Sequence, residues 1–133
     1  MSETTYCLDS DVLIWHLRKG DRQRAVQEYL TKLAGHGTLA CSMLSVAEVE
    51  QGVRPREEEK TRAFLRSLKT YPVDRDVAER AGEIVRSLRS RGTTVGLADA
   101  VIAATCVIHG LTLVTLNLSD FEKIDGLSLA VMP

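Results

Sequence analysis

Residues 97–115, LADAVIAATCVIHGLTLVT, predict a buried helix followed directly by a buried strand. Residues 97–109 are apolar nearly all round, as in a helix enclosed by protein, and Gly110 fits the position just after a helix end. Residues 111–115 are mostly β-branched or apolar, which is typical of a short interior strand. Because such a strand needs cover on both faces, this stretch favours an α/β fold with a parallel sheet.

The rest of the chain repeats this alternation of strands and helices. Further strands are predicted at 4–8, 38–42 and 127–131, with an extended piece at 71–73 and a turn at 117–121. Further helices are predicted at 12–18, 22–34, 46–52, 54–69 and 77–89, with Asp9, Asp21, Ser45 and Asp74 as N-caps. We therefore predict one domain, residues 1–133, built as a three-layer α/β/α sandwich around a parallel sheet of four to five strands.

Composition agrees with a single soluble domain. The 133 residues are 44% hydrophobic and 26% charged. No apolar stretch reaches the ~18 residues that span a bilayer, and MSETTYCLDS lacks the pattern of a secretory signal, so we expect a cytoplasmic protein. Three widely spaced cysteines, Cys7, Cys41 and Cys106, are expected to be buried reduced thiols. The net charge of −1 argues against coating nucleic acid by bulk electrostatics, so any polyanion must meet local basic patches and bound cations.

Acids follow several of the predicted strands. Ligands of α/β proteins bind at the carboxyl ends of parallel strands, where these side chains are expected to meet. Carboxylates that cluster repel one another unless a cation neutralises them, and oxygen ligands without His or Cys favour Mg²⁺ over zinc. The members of this predicted cluster are Asp9, Glu48, Asp99 and Asp120, with Asn117 beside them.

Each acid also has a purely structural interpretation. Asp9 fits a helix cap, and Glu48 has the spacing of a capping box with Ser45. Asp120 and Asn117 are ordinary turn residues. Asp99 is harder to explain, because an acid in a nearly all-apolar helix is costly without a metal or a basic partner.

Four segments together closely resemble the PIN-domain family, and in particular its VapC-type toxins of prokaryotic toxin–antitoxin pairs. They are residues 7–14, CLDSDVLI; 44–48, LSVAE, with Gly52 four residues on; 97–105, LADAVIAAT; and 113–121, LVTLNLSDF. The segments occur in the family's order and spacing over essentially the whole chain. Two departures are Asp11, where many relatives carry Asn, and the uncharged Asn117, which leaves the fourth acid to Asp120.

The resemblance implies a Mg²⁺-dependent endoribonuclease, with Mn²⁺ as a substitute. It implies that Asp9 and Asp99 hold the cation, with Glu48 and Asp120 completing the site. Ser10, Thr115 and Asn117 are expected to support these ligands. The cation would polarise the scissile phosphate and activate water, leaving 5′-phosphate and 3′-hydroxyl ends.

The resemblance also implies partners. These are an RNA substrate, a VapB-like antitoxin bound along a groove of the early helices, and a second copy of the chain in a homodimer. The 22–34 and 55–69 helices are the expected groove walls. Several arginines and lysines could bind the phosphates of RNA, although any one of them is also explained as part of a solvated, charged helix face. Arg91, in the loop before Asp99, is the first candidate for substrate contact.

Three other interpretations remain open from the sequence. Asp9-Ser10-Asp11-Val12-Leu13 also fits a haloacid-dehalogenase-like phosphatase with Asp9 as nucleophile, although Asp99 lacks the acidic neighbour this needs. A receiver-like domain has similar length, but it needs a Lys directly after its penultimate strand, and none stands directly after residues 111–115. The third is a PIN-like binding module without catalytic activity.

Overall fold

The computed structural model describes residues 3–132, which form a parallel five-stranded sheet between two layers of helices. The strands are β1 (Thr4–Leu8), β2 (Gly37–Ser42), β3 (Lys69–Tyr71), β4 (Thr112–Thr115) and β5 (Ser128–Val131). Their order across the sheet is β3-β2-β1-β4-β5, and every pair is parallel. The predicted fold class is therefore confirmed.

Seven α-helices connect the strands in this part of the chain. They are α1 (Ser10–Leu17), α2 (Asp21–Ala34), α3 (Met43–Gln51), α4 (Glu58–Ser67), α5 (Arg75–Ser90), α6 (Leu97–His109) and α7 (Leu118–Phe121). A 3-10 turn, Pro55–Glu57, precedes α4. None of the helices in residues 3–132 has the length and apolar character needed to cross a membrane.

Alternate strand residues point into two separate cores. Leu8 and Val114 pack with α1, α2, α3 and α4 on one face of the sheet. Cys7 and Leu113 pack with α5 and α6 on the other face. Both faces are thus covered, which explains why the central strands are apolar on both sides. All three cysteines are buried and free, as predicted.

Most predicted elements are present, with shifted ends. The helix at 97–109 has the predicted bounds, and Gly110 follows it in the left-handed conformation, with φ 67°. Asp74 caps α5 as predicted, accepting a hydrogen bond from the Val77 amide at 3.0 Å. The extended piece lies at 69–71 rather than 71–73, and the turn at 117–121 contains α7.

Two predicted helix caps are wrong. Asp21 is the first residue of α2, after Gly20, and makes no capping bond. The cap of α3 is Ser42, whose hydroxyl accepts from the Leu44 amide at 3.1 Å, so Ser45 lies inside the helix. The predicted capping box of Ser45 and Glu48 is therefore absent. By sequence position, either serine could cap the helix. The strand β2 pairs with β3 as far as Ser42, and α3 begins at the next residue, so Ser42 is the cap.

Candidate active site

Asp9 lies between β1 and α1, where the strand order changes direction. β1 has β2 on one side and β4 on the other. From β1 the chain continues to β2 and β3 on one side of the sheet, and β4 and β5 follow on the other side. This is the position at which parallel sheets open a crevice for ligands. The Asp9 side chain is 5% exposed. Its Oδ1 accepts from the Ser10 amide and its Oδ2 from the Thr115 hydroxyl, both at 2.8 Å.

The surroundings of Asp9 raise its pKa to about 7. Burial is the largest cause, followed by repulsion from Asp11 and a smaller contribution from Glu48. The hydrogen bonds from Thr115 and Ser10 act in the opposite direction and favour the ionised carboxylate. This group therefore titrates near neutral pH, and a nearby cation would favour its charged form.

Glu48 is held by Ser10, which Ser45 supports in turn, rather than by a capping box. The Ser10 hydroxyl donates to Glu48 Oε1 at 2.7 Å, and the Oγ atoms of Ser10 and Ser45 lie 2.9 Å apart. A hydroxyl carries one proton, so Ser45 supplies the proton between the two serines. Ser45 is fully buried, so the chain Ser45–Ser10–Glu48 connects this carboxylate to the protein interior through Ser10.

Asp99 is half-buried in the first turn of α6. Burial raises its pKa first, and repulsion from Asp9, Asp120 and Glu48 adds to the shift. The N-cap of α6 is Gly96, which offers no side chain to the helix end. Carboxylates from four separate segments thus act on one another at one edge of the sheet.

Thr115 and Asn117 link β4 to α7 at this edge. The Asn117 amide donates to Thr115 Oγ1 at 3.0 Å, and Thr115 in turn donates to Asp9. The Asn117 side-chain amide donates to Asp120 Oδ2. Asn117 therefore contacts both Thr115 and Asp120, two of the predicted site residues.

Asp11 is a fifth carboxylate that we did not count among the candidate ligands. Its Oδ2 accepts from the Leu116 amide at 3.3 Å, whereas its Oδ1 is buried without a hydrogen-bond partner. Burial raises its pKa, with a further contribution from Asp99. The signal in the sequence was the pair Asp9-Ser10-Asp11, which places two acids in one helical turn directly after a strand.

The donor set suits a hard divalent cation. In residues 3–132, no three Asp, Glu, His or Cys side chains already stand as an enclosing metal cage. Mg²⁺ does not require one, because it keeps several waters and binds through one or two carboxylates. The Oδ1 of Asp11 has no hydrogen-bond partner and is therefore available to a cation. A cation would also offset the repulsion that raises the pKa of Asp99. The residues present therefore fit such an ion.

Arg91 is exposed at the C-terminal end of α5. Its Nη1 lies 3.8 Å from Asp125 Oδ2, outside the carboxylate cluster. A substrate contact by Arg91 remains a prediction.

Comparison with known proteins identifies the family. The PIN domain model matches residues 6–127. Ribonuclease VapC10 of Mycobacterium tuberculosis is 37% identical over 120 residues, which cover 90% of this chain and 88% of that protein. The crystal structure of VapBC2 from Rickettsia felis, bound to a promoter DNA fragment, has a TM-score of 0.82 at 25% identity, covering 98% and 100% of the two chains. A toxin–antitoxin complex from Klebsiella pneumoniae has a TM-score of 0.76 at 28% identity, covering 94% and 95%.

The chain belongs to the PIN-domain family. Nucleases of this family generally depend on a divalent metal. The resemblance noted in the four sequence segments is thereby confirmed, and the phosphatase alternative is set aside. The strand order also differs from the 2-1-3-4-5 order of receiver domains.

Proposed function

We propose that this chain is a Mg²⁺-dependent endoribonuclease and the toxin of a type II toxin–antitoxin pair, with Mn²⁺ able to replace Mg²⁺. The observation that carries the proposal is the carboxylate cluster at the carboxyl edge of the sheet, beside β1 and β4, where the strand order changes direction. Asp9, Glu48, Asp99 and Asp120 come from four segments. Glu48 contributes to the raised pKa of Asp9, and the other three acids contribute to the raised pKa of Asp99. A protein maintains such repulsion where a cation relieves it during function.

The residues divide into ligands and supports. Asp9 and Asp99 are the principal ligands, Glu48 and Asp120 bind directly or through water, and Asp11 adds an oxygen. When bound, the cation supplies charge stabilisation for the scissile phosphate and activates a water molecule. Thr115 and the Ser10 amide hold both oxygens of Asp9, so that its carboxylate cannot rotate freely. Ser10 holds one oxygen of Glu48, Oε1, and Ser45 holds Ser10 in turn.

The family relationship supports the partner proposals. The relatives carry the names of ribonucleases, and solved neighbours are complexes of toxin with antitoxin. We propose RNA as the substrate, a VapB-like antitoxin, a homodimer and a cytoplasmic location for this chain. The predicted antitoxin groove along α2 and α4 belongs to this proposal.

The decisive experiment is RNA cleavage by the purified protein with and without metal. We expect cleavage with Mg²⁺ or Mn²⁺, no cleavage in EDTA, and at least ~100-fold loss for Asp9→Asn and for Asp99→Asn. Asp76→Asn, an exposed acid on α5, is the matched control and should retain full activity. Products should carry 5′-phosphate and 3′-hydroxyl ends. Cleavage that persists in EDTA would refute the mechanism, and a folded protein that binds RNA without cleaving it would support the binding-module alternative.

A further inference from the structure

A short loop precedes the helix that carries Asp99. This loop, residues 91–96, connects α5 to α6 and ends at Gly96, the N-cap of α6, which offers no side chain to the helix end. Asp99 lies in the first turn of α6. Because the cap residue cannot orient this helix end with a side chain, the position of Asp99 depends on how the loop is held.

The loop is held at three successive residues. It turns at Gly92, whose φ of 76° lies in the left-handed region. The Thr93 amide then donates to the Leu88 carbonyl of α5 at 2.9 Å, and the Val95 side chain packs against the core between the sheet and α6. Thr94 lies between these two anchors, is exposed, and is contacted from another part of the chain.

Lys123 makes this contact from the turn that follows α7. Its Nζ donates to the Thr94 carbonyl oxygen at 2.8 Å, across 29 positions of the chain. Phe121 and Ile124, on either side of Lys123, are buried in the core, and the Ile124 amide donates to the Phe121 carbonyl at 3.0 Å. The backbone of Lys123 is thus fixed, and its side chain connects a fixed turn to the loop before α6.

An ion pair joins the same two segments. Arg91 Nη1 lies 3.8 Å from Asp125 Oδ2, and both side chains are more than half exposed. An exposed pair at this distance contributes little to stability. The bond from Lys123 is therefore the stronger link between the loop and the turn after α7.

This link opposes a repulsion between the same parts of the protein. Asp120 lies three residues before Lys123, and Asp99 lies three residues after the end of the loop. Burial is the main cause of the raised pKa of Asp99, and repulsion from Asp120 is among the further causes. Without a cation, the two carboxylates repel each other and favour separation of α7 from the start of α6.

We propose that Lys123 is a positioning residue that holds Asp99 and Asp120 at the separation a divalent cation requires. It acts through the backbone of the loop and does not touch the cation. Because the two segments are already joined, cation binding does not have to bring them together, and the affinity is higher for that reason. This inference rests on the proposed metal site, and it assigns a role to a lysine outside the carboxylate cluster.

Metal binding in the absence of RNA tests this role. The EPR signal of free Mn²⁺ measures binding in a titration of the protein at pH 8. Lys123→Met removes the donor and keeps most of the side-chain length, and it should raise the Kd for Mn²⁺ by about tenfold. Lys123→Arg keeps a charged donor of similar reach and should recover most of the affinity. For RNA cleavage, Lys123→Met should need about tenfold more Mg²⁺ for half-maximal rate, with kcat at saturating Mg²⁺ nearly unchanged.

Amide hydrogen exchange in EDTA shows whether the loop is released. In Lys123→Met, the amides of residues 93–99 should exchange faster than in the wild type. The Tm should fall by only ~2–4 °C, as expected for the loss of one exposed hydrogen bond. Lys69→Met is the matched control, because Lys69 is exposed on β3, at the opposite edge of the sheet from β5. This variant should bind Mn²⁺ like the wild type.

The results distinguish this inference from the function on which it rests. If the wild type cleaves RNA with Mg²⁺ but Lys123→Met binds Mn²⁺ as tightly as the wild type, the positioning role is wrong and the ribonuclease stands. If Lys123→Met loses affinity for Mn²⁺ but the wild type cleaves no RNA, the positioning role stands and the ribonuclease is wrong. Tighter Mn²⁺ binding by Lys123→Met would show that the lysine only repels the cation, and equal losses in Lys123→Met and Lys123→Arg would show that the hydrogen bond has no part. Either result overturns the inference.

Discussion

Asp9 combines structural and functional demands on one side chain. It caps α1, bonds to Thr115 on the neighbouring strand, and yet titrates near neutral pH because it is buried among other acids. A raised folded-state pKa means that the folded protein holds this proton more tightly than the unfolded chain does. Ionised Asp9 therefore lowers the free energy of unfolding, although the ionised form is the one that would bind a cation.

The pH dependence of stability follows from this sign. Between about pH 4, the unfolded-state pKa, and about pH 7, the folded-state pKa, the folded state binds more protons. The free energy of unfolding in EDTA should therefore fall as the pH rises through this window. Asp9→Asn removes the effect and should be more stable than the wild type at pH 8 by about 2–4 kcal/mol, with little difference at pH 4. Urea unfolding across this pH range measures it, with Asp76→Asn as the control. A variant less stable than the wild type at pH 8 would contradict the raised pKa of Asp9.

Ser10 should act on catalysis through Glu48. Removing the hydroxyl in Ser10→Ala frees the carboxylate to move, so RNA cleavage should fall by ~10-fold. Unfolding should change by only about 1 kcal/mol. In a double-mutant cycle with Glu48→Gln, the double variant should be nearly as active as Glu48→Gln alone. Ser87→Ala, an exposed serine on α5, should behave like the wild type. Fully additive losses would show that the two residues act independently.

At the scale of helices and strands, the sequence predicted those features that depend on neighbouring residues. The helix at 97–109 has its predicted bounds because its apolar run and Gly110 both define them. The predicted N-cap of α3 was wrong because the neighbouring residues do not distinguish Ser42 from Ser45 as a cap. The bond of Ser45 to Ser10 spans 35 residues along the chain. Asp11 was missed as a site residue for the same reason, since its bond from the Leu116 amide and its repulsion from Asp99 both involve residues distant in the sequence.

Two glycines test how elements fit together. A Cβ on Gly37, at the start of β2, would lie 1.9 Å from the backbone oxygen of Thr4 on β1. Gly37→Ala must therefore push these paired strands apart, and we expect a loss of more than about 2 kcal/mol. Gly82 is exposed within α5, with nothing within 4 Å of its added Cβ. Gly82→Ala should raise the free energy of unfolding by about 0.5–1 kcal/mol, because alanine is the better helix former. Chemical denaturation compares the two, and equal effects would contradict the close approach at Gly37.

At the scale of the molecule, topology produces the site. Asp9 and Thr115 are 106 positions apart, and they meet because β4 lies beside β1 rather than beside β3. The sequence predicted that the acids gather at one sheet edge, since parallel strands end there together. It did not predict the cavity of about 400 Å³ that Glu48 lines together with residues of α1, α3 and α4, because that cavity depends on how these helices are placed in three dimensions.

A cation bound at this site would connect segments from both ends of the chain. The unfolded chain cannot assemble these ligands, so Mg²⁺ should stabilise only the folded state, by RT ln(1 + [Mg²⁺]/Kd). At pH 8 and Mg²⁺ about tenfold above Kd, the gain is ~1.4 kcal/mol, or ~3–5 °C in Tm. At pH 5 the gain should largely vanish, because the raised pKa of Asp9 leaves it protonated and protons compete with the cation. Thermal unfolding with Mg²⁺ or EDTA at both pH values measures this, and Asp9→Asn with Asp99→Asn should abolish the shift while Asp76→Asn preserves it. An equal Mg²⁺ effect at pH 5 and pH 8 would place the cation elsewhere on the protein.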